Sequence, residues 1–582
     1  MSRVKLLILI FIVFIGISHC LSVIETSFGK LEGKIVNGDQ VMFKNVPFAK
    51  PPIGDLRFKL PEWTDPWNGV RNATEYSPAC LSKSKIPTPS NDGWMDEDCL
   101  YLNVFTNEFC LLTGYCHVII YYHGGGINLD SATEFDDTFI LERYVKQNIV
   151  FVIPAYRLGV FGLFYLGDDN LVPHNLAIHD CKLALHFIHQ EISHFGGNPE
   201  HINLMGHSAG AHISMVFGFS RMIDPDQRLF KKIIVISAVP SYDMPELLIR
   251  NCYELAARVG CYTKNVTSDR EVVECMRGKD SFELLVMQRA MEEDHLYLWN
   301  FMKGEPFMHL DEKIEDFKRN AVPREMYIGT TVNEVGWARQ SKENPAMAGS
   351  FMDWENPYEV ADEFDRYHDT SPLGTVYQSF TQGIFVSTAT YAEAMVNAGG
   401  KVFLFQTNQQ PNSSHVSDMQ YFIGMHREEV HTSDMDIVDS FYLQMILNFT
   451  LYGNPSPNWQ QLDPARMNYY AIEVDRKRGV WPKMEEDYHE KDVNLWYINM
   501  TAFDREVTRQ KQLAALNNPM HPGPVIIPPA QNDESSSLNV SEEWWFYALI
   551  VVVALIIFYL IYVLKRTFSK PTHVDETTAL FK

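Results

Sequence analysis

The segment that most restricts how this chain can fold is a sixteen-residue passage from Ile202 to Phe217. It opens with a short apolar run, Ile202 to Met205, passes through Gly206-His207-Ser208-Ala209-Gly210, and continues into the small and apolar run Ala211 to Phe217. Apolar residues bounded in this way read as a buried strand delivered straight into a helix. A strand that becomes a helix within one pentapeptide leaves its central residue in a crowded backbone, so the flanking positions must be small. This is the G-x-S-x-G elbow, and it would present the Ser208 hydroxyl as a nucleophile at the carboxyl end of a sheet strand. Glycine and serine are common in loops, so the pentapeptide needs support from its surroundings.

The rest of the chain supplies that support. His117 to Tyr122, Val150 to Ala155, Ile233 to Ser237, Met326 to Ile328 and Val402 to Phe405 are short, strongly apolar runs. With Ile202 to Met205 they read as buried strands of one largely parallel sheet, whose strands are covered on both faces. Asp180 to His194 has helical spacing, with Leu183, Phe187, Ile188 and Ile192 on a face, and stops before Phe195-Gly196-Gly197. Strand and helix patterns alternate without an internal repeat, which predicts an α/β domain. With 582 residues, 46% of them hydrophobic, the chain has ample material for a large core, and its net charge of −24 disfavours nucleic acid as a partner.

Directly after the strand ending at Tyr121-Tyr122 comes His123-Gly124-Gly125-Gly126. Consecutive glycines expose backbone N–H groups, and a developing oxyanion requires such donors held in advance. The HGGG-type loop supplies them together with the N–H after the nucleophile, so Gly124, Gly125 and Ala209 are the expected oxyanion donors.

At this point the chain resembles the type-B carboxylesterase and cholinesterase family, over a stretch running to about Trp496. The similarity rests on Phe195 through Gly210, which looks like that family's active-serine signature, and on Glu97-Asp98-Cys99-Leu100-Tyr101-Leu102-Asn103, which looks like its second signature. Asn45 through Pro52, leading to Leu56-Arg57-Phe58, is a third similar stretch. The resemblance implies an α/β-hydrolase fold with triad members in the order Ser, acid, His. It implies Glu334 as the acid, at the end of Tyr327-Ile328-Gly329-Thr330-Thr331-Val332-Asn333-Glu334, although Val335 departs from the usual Gly and Gly336 follows one residue later. It implies His426 as the base, within Gly424-Met425-His426-Arg427-Glu428-Glu429-Val430; His415 and His431 are nearby rivals without that motif. Disulfides Cys80–Cys99 and Cys261–Cys275, and the ion pairs Arg57–Glu97 and Arg157–Asp180, follow from the same resemblance. Cys110 and Cys116 flank a short loop and can pair locally, while Cys181 is either free or joined to Cys252. Neither His426, Glu429 and His431 nor His186 and His189 has the HExxH spacing of a zinc site, and no metal or cofactor is expected.

The termini point to export and anchoring. Arg3 and Lys5 precede an apolar run, Leu6 to Ile17, and Ser18-His19-Cys20, which reads as a signal peptide over residues 1–20. Residues 544–564 form an uncharged apolar stretch of about 20 residues, the length that spans a bilayer as a helix. Lys565, Arg566 and Lys570 follow at once, so the positive-inside rule predicts a single-pass type I protein of the cell membrane with residues 565–582 in the cytoplasm. The catalytic domain, residues 21–504, would then be extracellular or lumenal, joined to the span by a Pro- and Ser-rich juxtamembrane stalk over 505–543. The Asn-x-Ser/Thr sequons at Asn72, Asn265, Asn412, Asn448, Asn499 and Asn539 all precede the span, and the cysteines other than Cys20 are even in number, as an oxidising compartment favours.

Two kinds of function fit this organisation. One is a serine hydrolase of carboxylic esters; the other is a cholinesterase-like cell-adhesion receptor of the neuroligin or gliotactin kind, with a homodimer or cell-surface protein as partner. The anchor suits the second. Ser208, Glu334, a histidine and the glycine loop suit the first, with a small-molecule ester as substrate. A quaternary ammonium substrate needs an aromatic face. Trp94 lies close to Cys99 in a short loop, and His207 stands where cholinesterases have Glu, so a general ester is the expectation.

Overall fold

The structure is a computed structural model that describes residues 22–82, 94–239, 241–266, 268–298, 300–335, 346, 348–368, 375–427 and 429–517. The signal segment, stalk residues 518–543, the candidate span 544–564, the tail, Asn539 and Gly336 lie outside the described residues. Among the described residues no helix is long and apolar enough to cross a membrane.

The core is an 11-stranded sheet. In chain order its strands are β1 (Lys34–Val36), β2 (Gln40–Pro47), β3 (Tyr101–Asn107), β4 (Cys116–Tyr122), β5 (Ile149–Pro154), β6 (Gly197–His207), β7 (Lys232–Ile236), β8 (Glu325–Thr331), β9 (Lys401–Thr407), β10 (Tyr469–Ile472) and β11 (Lys483–Glu485). Across the sheet they run β11-β10-β9-β8-β7-β6-β4-β5-β3-β2-β1. From β5 to β10 every neighbouring pair is parallel, and the pairs outside that stretch are antiparallel. The parallel strands are the apolar runs of the sequence: every residue of β5 is buried, as are Ile233 to Ile236 of β7. Each fully buried aliphatic or aromatic side chain contributes roughly 1.5–3 kcal/mol, which is why such runs settle where both faces are covered.

Helices α1 (Leu176–Glu191) and α2 (Ala209–Phe219) follow the sheet's midsection, and α2 packs on β6 and β7. The helix expected over Asp180–His194 is thus α1, which begins four residues earlier and ends at Glu191. A short α3 (Met419–Phe422) and a long α4 (Ser433–Tyr452) follow β9, and α5 (Thr501–Asn517) comes last. Helix α5 includes the start of the expected stalk. It is fastened by Asp504, whose carboxylate accepts the Asn356 backbone N–H at 2.8 Å and its carboxamide at 3.0 Å.

Two buried ion pairs brace the domain. Arg57 grips Glu97 through its Nε at 2.7 Å, and Arg157 meets Asp180 bidentately at 2.8 and 2.7 Å. Disulfides join Cys80–Cys99, Cys110–Cys116 and Cys261–Cys275. Cys181 and Cys252 are buried and do not join each other. Burial pushes both thiols up, that of Cys252 to about 12, so neither is poised as a thiolate.

The parallel strands all point their carboxyl ends to one side, where open α/β sheets gather their ligands. The loops leaving β4, β6, β7, β8 and β9 carry the residues of the site.

Candidate active site

Ser208 sits between the last residue of β6 and the first turn of α2, with φ 56° and ψ −122°. A side-chain-bearing residue rarely adopts such a backbone, and the surrounding hydrogen bonds hold it there: Ser208 N–H donates to Ile236 C=O at 3.1 Å, and Ser208 C=O accepts from His212 N–H at 3.0 Å. The flanking glycines are a matter of space. A Cβ on Gly206 would lie 2.2 Å from the Gly210 carbonyl, and one on Gly210 would lie 1.9 Å from the Tyr122 oxygen. Both neighbours are backbone and cannot step aside.

The glycine loop leaves β4 and lies against the nucleophile. A Cβ on Gly124 would come within 3.3 Å of the Ser208 Cβ, and Gly125 has φ 89° with the Leu129 oxygen 2.4 Å from where its Cβ would be. Carbonyls of this loop are bonded on one side. Tyr156 Oη–H donates to His123 C=O at 2.7 Å, His123 Nδ1 bonds Gly124 C=O at 3.1 Å, and Gly125 C=O accepts the N–H groups of Asn128 and Leu129 at 3.0 and 2.8 Å. In a trans peptide the N–H of one residue points opposite the C=O of the residue before it. The N–H groups of Gly124 and Gly125 are therefore turned away from these acceptors. Burial holds the His123 imidazole down to about 4, so it is uncharged at neutral pH.

Glu334 follows β8 and is wholly buried. Its Oε1 accepts from Ser237 Oγ–H and from Thr331 N–H, each at 2.7 Å. Its Oε2 accepts from His415 Nδ1–H, and His415 Nε2 lies 2.8 Å from Ser208 Oγ. Ser208, His415 and Glu334 thus form one continuous hydrogen-bonded chain.

The expectation of His426 as base is corrected here: the histidine brought to Ser208 is His415. The loop after β9 is bound to the loop after β8 by Val332 N–H to Thr407 C=O, Asn333 N–H to Ser413 C=O and His415 N–H to Glu334 C=O, at 3.0, 3.0 and 3.1 Å. These bonds carry His415, the first histidine after β9, directly over Glu334. His426 comes after the further turns of α3 and is exposed, with φ 52°. His431 is also exposed and pairs with Asp436 at 2.7 Å. The available signal was proximity to a strand end: an acid just past one strand needs a base from the loop of the adjoining strand, and the intervening helix removes His426 from that loop.

Two further residues crowd this chain and escaped the sequence reading as site residues. His207 donates Nε2–H to His415 C=O at 2.7 Å. Asp418 is wholly buried, accepts from Tyr442 Oη–H at 2.9 Å, and is pushed up to about 7, chiefly by burial and further by the Glu334 charge.

Of the sequons, Asn72, Asn265, Asn412 and Asn499 are exposed. Asn448 is half-buried on α4, its carboxamide donating to Pro455 C=O at 3.1 Å, and the sequon's Thr450 is fully buried.

A family model described as "Carboxylesterase family" matches residues 21–496. Liver carboxylesterase 1F of Rattus norvegicus is 26% identical over 534 residues, covering 80% of this chain and 92% of the relative. Liver carboxylesterase of Sus scrofa is 26% identical over 537 residues, with 80% and 91% covered. Carboxylesterase 1C of Mus musculus reaches 31% identity over a shorter stretch, 333 residues, covering 54% of this chain and 58% of that protein.

Proposed function

Since the chain belongs to the carboxylesterase family, we propose that it is a carboxylic ester hydrolase working through Ser208, His415 and Glu334 by way of an acyl-enzyme. The observation that carries this reading is His415 bonded at once to the Ser208 hydroxyl and the Glu334 carboxylate. An ionised carboxylate only accepts, so Glu334 keeps the imidazole proton on Nδ1 and leaves the Nε2 lone pair to Ser208. As Ser208 Oγ attacks the ester carbonyl, its proton passes to His415 Nε2, and Glu334 stabilises the imidazolium. Charge grows on the former carbonyl oxygen, where the N–H groups of Gly124, Gly125 and Ala209 receive it. Collapse returns the proton to the departing alcohol and leaves the acyl group on Ser208. Water then attacks the acyl carbon as His415 Nε2 takes its proton; collapse breaks the bond from Ser208 Oγ to the acyl carbon, His415 returns the proton to Oγ, and the carboxylic acid leaves. Apart from binding, such a constellation contributes several powers of ten in rate.

The domain works outside the cytosol on this reading. The segment 1–20 directs export, 544–564 anchors the chain as a type I protein of the cell membrane, and the exposed sequons carry glycans. Three disulfides support an oxidising compartment.

The test is labelling of the full-length protein with a fluorophosphonate, alongside turnover of a panel of neutral p-nitrophenyl esters. Modification at Ser208 and hydrolysis by wild type, with both lost in Ser208→Ala, are expected. Folded wild type that is neither labelled nor active would move the domain to a binding role.

A further inference from the structure

We infer that His207 is a positioning residue that holds the loop of the base, an inference that rests on the catalytic reading of Ser208 and His415. His207 is the last residue of β6 and lies wholly within the site, 2% exposed. Through its backbone it is joined to the nucleophile. Its carbonyl faces the glycine loop, 3.2 Å from where a Cβ on Gly124 would lie. Through its ring it reaches the base: Nε2–H donates to His415 C=O at 2.7 Å, and the two imidazoles lie 4.9 Å apart between centroids.

The effect on His415 is geometric. Its backbone is held from both sides, by its own N–H on Glu334 C=O at 3.1 Å and by His207 on its C=O. Its ring is then left only rotation, which the Glu334 and Ser208 contacts define. The His415 loop leaves β9, three strands away from β6, with β7 and β8 between them. The His207 bond joins β6 to that loop independently of the Ser208–His415 contact, which must break and reform in each turnover. The clamp makes the nucleophile–base distance a property of the scaffold.

The donor role requires a proton on Nε2, and the His415 carbonyl, which only accepts, selects the tautomer that carries it there. Burial, followed by the neighbouring His415 and His426, holds His207 well below the usual histidine range, so the ring stays uncharged at neutral pH. An ionised carboxylate at this position could not donate to a carbonyl at all.

The experiment compares full-length wild type with His207→Gln, whose Nε2 donor can reach the same carbonyl, and with His207→Leu, which cannot donate. Burst-phase acylation, kcat, KM and thermal unfolding are measured on one p-nitrophenyl ester. Loosening a reacting pair by about an ångström costs on the order of 100-fold. His207→Leu should therefore lose about 100-fold in kcat and acylation rate with KM within about threefold and Tm little changed, while His207→Gln stays within about fivefold of wild type in kcat. Equal kcat in Leu and Gln variants overturns the inference, as does a Leu variant whose KM and Tm fall along with kcat. Should the Leu variant not fold, His207→Met takes its place. If neither folds, the Gln variant decides: kcat within about fivefold supports the clamp and a larger loss overturns it. A wild type that hydrolyses nothing and takes no label fails the functional reading and the inference with it, a result distinct from all of these.

Discussion

At the residue scale, the site turns on atoms that have no room to be otherwise. Replacing Gly210 by Ala would drive a Cβ to 1.9 Å from the Tyr122 carbonyl, a clash only backbone movement relieves. A loss of about 3 kcal/mol or more in thermal unfolding, together with lost turnover, is expected. The base assignment separates just as sharply. His415→Gln should lower kcat by roughly 10^4-fold or more, whereas His426→Ala should remain within about threefold, both read on the same ester. Asp418 gives a pH test. Its folded-state pKa of about 7 exceeds the ordinary 3.8, so the folded protein keeps a proton that the unfolded chain releases. That stabilises the fold fully below the unfolded value and is lost as pH rises through about 7. Asp418→Asn should therefore gain in Tm relative to wild type between pH 5 and pH 8, by an amount worth on the order of a few kcal/mol. A constant difference would remove burial as the cause. Asn448 is predicted to stay unglycosylated, since the hydroxyl its sequon needs is buried in α4; glycopeptide mass spectrometry checks this against the exposed Asn72.

At the element scale, strand ends do the assembling. The loops after β6, β8 and β9 each deliver one member of the hydrogen-bonded chain, and the cross-links between the last two loops are backbone bonds that no side-chain pattern announces. The strands were legible because both-face burial demands unbroken apolar runs; the elbow was legible because its glycines are sterically obligatory. Glu334 was legible only through the resemblance of Tyr327 to Glu334 to the family's strand-end turn. His415 was not: between β9 and α4 the chain makes the short helix α3, and apolar periodicity says little about which of two histidines precedes such a turn. Helix α1 is tied to the sheet by Arg157–Asp180, both buried. Asp180→Ala would strand a buried guanidinium and should cost about 3–5 kcal/mol, measured by denaturant unfolding.

At the scale of the whole molecule, the proposed catalytic residues stand on one sheet whose parallel strands present their carboxyl ends together, so that residues from Gly124 to His415 converge without any single segment containing the site. The proposed anchored, exported topology belongs to this scale as well. In sealed membrane vesicles with a lumenal catalytic domain, protease added outside should remove only the tail beyond the span and leave ester hydrolysis intact; loss of the catalytic domain to that protease would reverse the orientation. Disulfide reduction is a further check on the compartment, since the Cys80–Cys99 and Cys261–Cys275 bridges close loops around the domain.

The sequence by itself determined the α/β architecture, the elbow at Ser208 and the glycine loop, because each is written in local chemistry, as apolar runs and obligatory small residues; the acid came only through the family resemblance. The tertiary structure alone decided which histidine completes the chain. His426 and His415 are separated by a few residues and one short helix, and choosing between them depends on how the loop after β9 is bonded to the loop after β8 and clamped by His207. Those bonds join residues distant in the chain, and distance across a fold is what a linear pattern does not encode.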